Sequence, residues 1–383
     1  MKIISVVGAR PNFMKIAPFC HAIEKYNFNA IEKIEHLLVH TGQHYDDKMS
    51  KVFFERLNIP NADINLEIGS GSHAEQVGYT MIKFEKVIKE HKPDWVVVVG
   101  DVNATCACSI TAKKEHIKCA HIEAGLRSRD MSMPEEINRL VTDRISDLLL
   151  TPDNISYDNL IQEGTRKERI KLVGNIMIDT LLAQREKAAE LDINQIIASS
   201  PYDNEQTAVD VTEGRFAVIT MHRPSNVDTK EILEPIIDFM LDEVAPDMPL
   251  LWPMHPRTGK QLRNFGLWKK IRKCENLILM QPLDYHAMLR LNIGARVMFT
   301  DSGGLQEECC VLGTPCLTLR QNTERPITLQ ENGGLSFLVG NDVGKIREKY
   351  QKVLSHSNKP EPVFPALWDG TAAERMVEAI ANY

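Results

Sequence analysis

The chain contains no apolar run near the roughly 20 residues that span a bilayer, so no membrane segment is expected. Its first residues, Met1-Lys2-Ile3-Ile4-Ser5-Val6-Val7, are too short for a signal peptide and read as a first strand. Positive charge is not in surplus: 45 Lys and Arg against 52 Asp and Glu leave a net charge of −7. No global basic field then attracts nucleic acid or an anionic membrane, and any anionic ligand needs locally placed cations. Paired CxxC motifs are missing. Cys106 and Cys108 form a CxC and Cys309-Cys310 a CC, but neither has a second ligand pair at zinc-finger spacing. The eight cysteines therefore read as reduced thiols of a cytoplasmic protein, with no metal site. The chain also lacks GxGxxG and Walker phosphate motifs, fixed-period repeats and low-complexity tracts.

What is present is an ordinary globular composition, 43% apolar and 25% charged, over 383 residues, which suits two domains or one large one. Short apolar strands alternate with helices almost throughout, the pattern of α/β proteins with parallel sheets. Strands are expected at 2–7, 35–40, 95–100, 118–122, 147–151 and 170–173, with helices at 11–26, 46–57, 72–90 and 103–116. The run Val96-Val97-Val98-Val99 fits a strand covered on both faces. A second series of strands follows near 216–221, 249–253, 277–280, 296–300, 315–319 and 335–339. The polar stretch 199–214 reads as an exposed connection between domains. The expected division is an N-terminal α/β domain at 1–175 and a C-terminal one at 176–369. A terminal helix at 370–383 would pack back on the first domain. Two doubly wound, Rossmann-like domains would leave a cleft between them for a ligand.

Ligands of open parallel sheets bind outside the carboxyl ends of the strands. Two acids stand at such ends, Asp101 after Val96–Val99 and Glu123 after Cys119–Ile122, and Pro134-Glu135-Glu136 opens a helix soon after. Carboxylates held close have their pKa values pushed apart, which suits proton transfer. For Glu135 and Glu136 the helix dipole is the simpler account. The first strand leads through Gly8-Ala9-Arg10-Pro11 into a helix bearing Lys15, either a phosphate site with Arg10 as a fork or a plain strand–helix turn. In the second half, Val297–Thr300 runs into Asp301-Ser302-Gly303-Gly304 and then Leu305-Gln306-Glu307-Glu308. Adjacent glycines let a backbone approach a diphosphate, and Glu308 is placed to accept from ribose hydroxyls. The alternative is a helix start capped by Asp301 or Ser302. His222 and His255 follow matching strand ends and suit anion or proton work, or a structural role.

Together GARPNFMK (8–15), HTGQH (40–44), VVVGD (97–101), HIEAGLRS (121–128), MPEEINR (133–139), MHRP (221–224), TDSGGLQEE (300–308) and ERP (324–326) resemble the non-hydrolysing UDP-N-acetylglucosamine 2-epimerase family almost end to end. The resemblance implies a glycosyltransferase-B-like fold, the nucleotide held mainly by the C-terminal domain, no cofactor and no metal, and a homodimer. It implies interconversion of UDP-GlcNAc and UDP-ManNAc by elimination of UDP to 2-acetamidoglucal and re-addition to the other face. By motif, Asp101, Glu123, Glu135 and His222 match the family's catalytic residues. Arg10, Lys15, Arg139, His255, Ser302, Gly303, Gly304, Glu308 and Arg325 match substrate-binding positions. The resemblance departs at Gln43-His44-Tyr45-Asp46, where many bacterial members carry Gln-His-Arg-Glu in a loop tied to allosteric activation. The same wording resembles relatives acting on UDP-diacetamido uronic acids. A hydrolysing epimerase, a glycosyltransferase of the same fold and a silent nucleotide-sugar sensor are the rival readings.

Overall fold

The computed structural model describes residues 1–8, 10–42, 60–204 and 210–383, with the side chains of Arg10, Pro11 and Asn204 outside the description. The expected helix at 46–57 and the Gln43–Asp46 loop lie outside the described residues. These residues form two compact units, Met1–Ala183 with Pro365–Tyr383, and Gln184–Phe364.

The first unit holds β1 (Lys2–Val7), β2 (Glu35–His40), β3 (Ile64–Asn65), β4 (Trp95–Val99), β5 (Lys118–Ile122), β6 (Leu148–Thr151) and β7 (Ile170–Leu172). They line up in the order β3-β2-β1-β4-β5-β6-β7, every neighbour parallel. The two-residue β3 is too short to show a pattern of its own and is missing from the sequence reading; its pairing with Val39 and His40 creates it. All five residues of β4 are buried. The core around Ile4, Val6, Phe84, Val96 and Val98 gains about 1.5–3 kcal/mol for each large apolar side chain removed from water. Helix His73–His91 starts at a capping box: Ser72 Oγ accepts from Glu75 N and Glu75 Oε2 accepts from Ser72 N.

The second unit repeats the plan with β8 (Ala217–Thr220), β9 (Leu250–Pro253), β10 (Leu277–Met280), β11 (Val297–Thr300), β12 (Cys316–Thr318) and β13 (Ser336–Leu338). Their order is β10-β9-β8-β11-β12-β13, again all parallel. Both sheets are thus doubly wound and Rossmann-like. In each the strand order reverses at one place, between β1 and β4 and between β8 and β11, and such switch points carry the ligand crevice.

The change of unit falls inside helix Ile176–Ala189, later than residue 175. The helix is held to the first unit by Thr180 Oγ1, which donates to Met14 O at 2.6 Å. The described residues of the polar stretch 199–214 belong to the second unit, after the change of unit at Ala183–Gln184. Pro201 bridges to Met280, and Gly214 N donates to Gly294 O. Residues Pro365–Tyr383 return to the first unit, where Trp368 Nε1 donates to Pro152 O at 2.9 Å. All eight cysteines are free. No described helix is long and apolar enough to cross a membrane.

Candidate active site

Asn12 closes the switch point of the first sheet. Its Oδ1 accepts from Gly8 N at 3.1 Å and its Nδ2 donates to Val99 O at 3.2 Å, tying the end of β1 to the end of β4. One turn on, the half-buried Lys15 donates to the buried Glu123 Oε2 at 2.5 Å. Gly100 packs beneath this group. Its φ of +70° is what favours glycine, since a Cβ there would only touch Asn12 Nδ2, Glu123 Oε2 and Lys15 Nζ, each at 3.4 Å. Asp101, partly exposed, accepts from Arg139, which is itself buried. The two strand-end acids therefore do not act as a like-charge couple. Each has its own cation, Lys15 for Glu123 and Arg139 for Asp101.

Helix Pro134–Ile145 supplies that cation with an unusual face: Glu136, Asn138, Arg139, Thr142 and Asp143 are all buried. Glu136 accepts from Ser128 N and Oγ, both at 2.9 Å, and from Arg129 N at 3.0 Å, so it shapes the preceding loop. Glu135 is exposed, one turn before Arg139 on the same helical face. Asp143 bonds to His121 at 2.6 Å, to Gly125 N at 3.0 Å and to Arg127 at 2.7 Å. Burial opposes its charge, but His121 and Arg127 hold its carboxyl below the usual range. Gly125 is obligatory there, since a Cβ would sit 2.2 Å from Ser156 O.

At the switch point of the second sheet the organiser is Asp301, wholly buried. Its Oδ2 accepts from His222 N at 2.9 Å, Arg223 N at 2.8 Å and Asn226 Nδ2 at 3.1 Å, and its Oδ1 pairs with His222 Nδ1 at 2.9 Å. Burial opposes ionisation, yet His222 and these amides hold its carboxyl low. With Nδ1 so engaged, His222 presents Nε2 from a half-exposed ring. The His255 ring lies 5.2 Å from it, and its Nδ1 accepts from Arg257 N at 3.2 Å. Burial first, and the His222 charge next, hold His255 below the ordinary imidazole range.

Asp301 does not cap helix Gly303–Leu312, and the N-cap Ser302 makes no side-chain cap bond. A Cβ at Gly304 would meet nothing within 4 Å, and one at Gly303 only Glu324 and Arg320 at 3.8–3.9 Å. The space at both glycines is open, which would let a ligand approach the backbone closely. First-turn amides and the helix dipole suit an anion there. Glu308, buried in the same helix, has its carboxyl pushed up to about 7 by burial, with the polar groups of Asn292 and Tyr285 opposing and the Glu307 charge adding. Arg325 is buried, 2.7 Å from Glu307, and Arg320 donates to Glu324 at 2.6 Å. Among the described residues no three His, Cys, Asp or Glu side chains gather as a metal would need.

In the first unit Asp101, Glu123, Lys15 and Arg139 thus lie at the ends of β4 and β5. In the second, His222, His255, Ser302, Gly303 and Gly304 follow the ends of β8, β9 and β11. The side chain of Arg10 is not described. Sequence reasoning missed Asn12, His121, Asp143 and Asn226, and saw Asp301 only as a helix cap. The available signal was the density of polar residues on the helix after Pro134, too many for an apolar core face.

A family model described as UDP-N-acetylglucosamine 2-epimerase matches residues 27–381. Among curated proteins, a UDP-N-acetylglucosamine 2-epimerase of Methanocaldococcus jannaschii is 40% identical over 382 residues, 99% of either chain. A UDP-2,3-diacetamido-2,3-dideoxy-D-glucuronate 2-epimerase of Pseudomonas aeruginosa is 37% identical over 328 residues, 85% of this chain and 84% of that one. Among solved structures, the M. jannaschii UDP-GlcNAc 2-epimerase in complex with UDP-GlcNAc and UDP superposes with a TM-score of 0.84 at 38% identity, covering 100% of each chain. By motif, by fold and along its whole length, the chain belongs to the UDP-N-acetylglucosamine 2-epimerase family.

Proposed function

We propose that the protein is an isomerase that interconverts UDP-GlcNAc and UDP-ManNAc without a cofactor. The observation that carries this reading is the pair of carboxylate–cation couples at neighbouring strand ends, Glu123 with Lys15 and Asp101 with Arg139. Epimerisation at C2 needs one group to take the C2 proton and one to return it on the opposite face. In the forward step the C2–H proton passes to a carboxylate, the C1–O bond breaks, and UDP leaves with its electron pair. The product is 2-acetamidoglucal. In the return step a UDP oxygen rejoins C1 and a proton reaches C2 from the other side. Each proton-transfer group contributes about 10²–10⁴-fold in rate. Asp101, Glu123 and Glu135 form the pool for these roles.

The C2 proton is weakly acidic, so the leaving diphosphate must be stabilised as the bond breaks. The second unit holds the nucleotide, with the diphosphate at the amides of Ser302, Gly303 and Gly304 and the ribose at Glu308. His222 and His255 face the diphosphate, with Asp301 fixing the first. Arg10, Lys15, Arg139 and Arg325 are the further cations of substrate binding. A homodimer in the cytoplasm completes the reading; the eight free thiols suit that compartment. Light scattering would give twice the 43.4 kDa chain mass for a dimer and a single chain mass if this is wrong.

The test is proton NMR with UDP-GlcNAc in D₂O. Formation of UDP-ManNAc with deuterium at C2 is expected. Free ManNAc with UDP would mean hydrolysis instead, and no exchange would refute the assigned substrate. The second reading is a UDP-diacetamido uronic acid, favoured by the 37% identity to the P. aeruginosa enzyme. Exchange on that sugar alone would establish it.

A further inference from the structure

We propose that His121 is a buried imidazolium that positions the Gly100–Asp101 peptide. The inference rests on the assignment of Asp101 to the reaction. His121 lies on β5 and its ring is fully enclosed. Nδ1 is 2.6 Å from Asp143 Oδ1 and Nε2 is 2.8 Å from Gly100 O. A backbone carbonyl can only accept, and an ionised carboxylate can only accept. Two hydrogen bonds to two acceptors need two protons, and a neutral imidazole carries one. The second proton must therefore sit on the ring or on Asp143. Arg127 at 2.7 Å and Gly125 N at 3.0 Å both donate to Asp143 Oδ2 and keep that carboxylate ionised, so both protons ride on His121. Glu163 in turn balances Arg127 through two bonds, at 2.8 and 2.7 Å.

The ring fixes the peptide that carries Asp101. Gly100 N donates to Ile122 O at 3.1 Å, and Gly100 O takes the charge-assisted bond from His121. Beyond it, Asp101 O accepts from Asn138 at 2.8 Å. Three successive peptides are thus held, the first two to β5 and the third to the helix, and the turn at Gly100, with its φ of +70°, is fixed from both sides. His121 touches no substrate in this role. It acts through the backbone of its neighbour strand.

The first test needs no variant. In full-length protein with ¹⁵N-labelled histidine, both His121 ring nitrogens should show the protonated shift and a bonded N–H at pH 8. His121→Gln identifies the signals by their loss. One ring nitrogen without a proton at pH 8 overturns the proposal. The second test is kinetic. His121→Gln keeps a donor for Gly100 O but no charge, and kcat should fall about 10–100-fold with KM for UDP-GlcNAc within about 3-fold. An unchanged kcat overturns the positioning role. If the native protein does not act on UDP-GlcNAc at all, the functional reading fails, while the ring protons still decide the charge on His121.

Discussion

Asp179→Asn should reverse its effect on stability with pH. Asp179 opens the returned helix Ala372–Ala381: its Oδ1 accepts from Ala372 N at 3.1 Å and its Oδ2 from Ala373 N at 2.8 Å. Burial pushes its carboxyl from 3.8 up to about 6, and the two amides and Arg375 recover only part of the shift. A raised value in the folded state means the native protein binds the proton more tightly than the unfolded chain. The favourable contribution is complete below about pH 4 and lost as pH rises through about 6. A gap of about two units corresponds to about 3 kcal/mol. Asparagine cannot ionise, so it escapes that loss. It also replaces one acceptor by an amide and forfeits one cap bond, about 1 kcal/mol. The variant should therefore be about 1 kcal/mol less stable than the parent at pH 4 and about 2 kcal/mol more stable at pH 8. The swing between the two pH values, about 3 kcal/mol, does not depend on the cap cost. Urea unfolding of both proteins from pH 4 to 8 measures it. Parallel stability profiles would refute the reasoning.

Two further outcomes follow from the site. Asp101→Asn should cut turnover about 10²–10⁴-fold while UDP affinity stays within about 3-fold, since the nucleotide is assigned to the second unit. Kinetics and calorimetry on the same sample check this, and a matching collapse of UDP binding would contradict it. UDP-GlcNAc binding should release a proton below about pH 7, because ribose hydroxyls favour the ionised form of Glu308, whose carboxyl burial has pushed up to about 7. Affinity should then weaken by up to about tenfold per unit as pH falls below 7. Calorimetry in two buffers of different ionisation enthalpy reads the proton, and Glu308→Gln should abolish the difference.

The alternating apolar strands and helices were legible in the chain itself, because an all-parallel sheet buried on both faces demands continuous runs such as Val96–Val99. The strand-end acids were legible for the same reason: a charge after such a run has to stand at the sheet's edge. Two things were not legible. One was where the first unit ends, since the change of unit lies within a helix whose Thr180 and Asp179 bond to residues 14, 372 and 373, far away in the chain. The other was what each acid faces. The neighbours of Glu123 and Asp101 come from residues 108 and 38 positions away, so their pairing with Lys15 and Arg139, instead of with each other, is a property of strand order. Asp301 makes the same point, reading locally as a helix cap but turning back to His222 across the β8–β11 switch. Residue type and local periodicity determined the elements and the chemistry on offer. Only the tertiary structure decided which charges meet, because ion pairing depends on distance through space and these distances are set by the sheet.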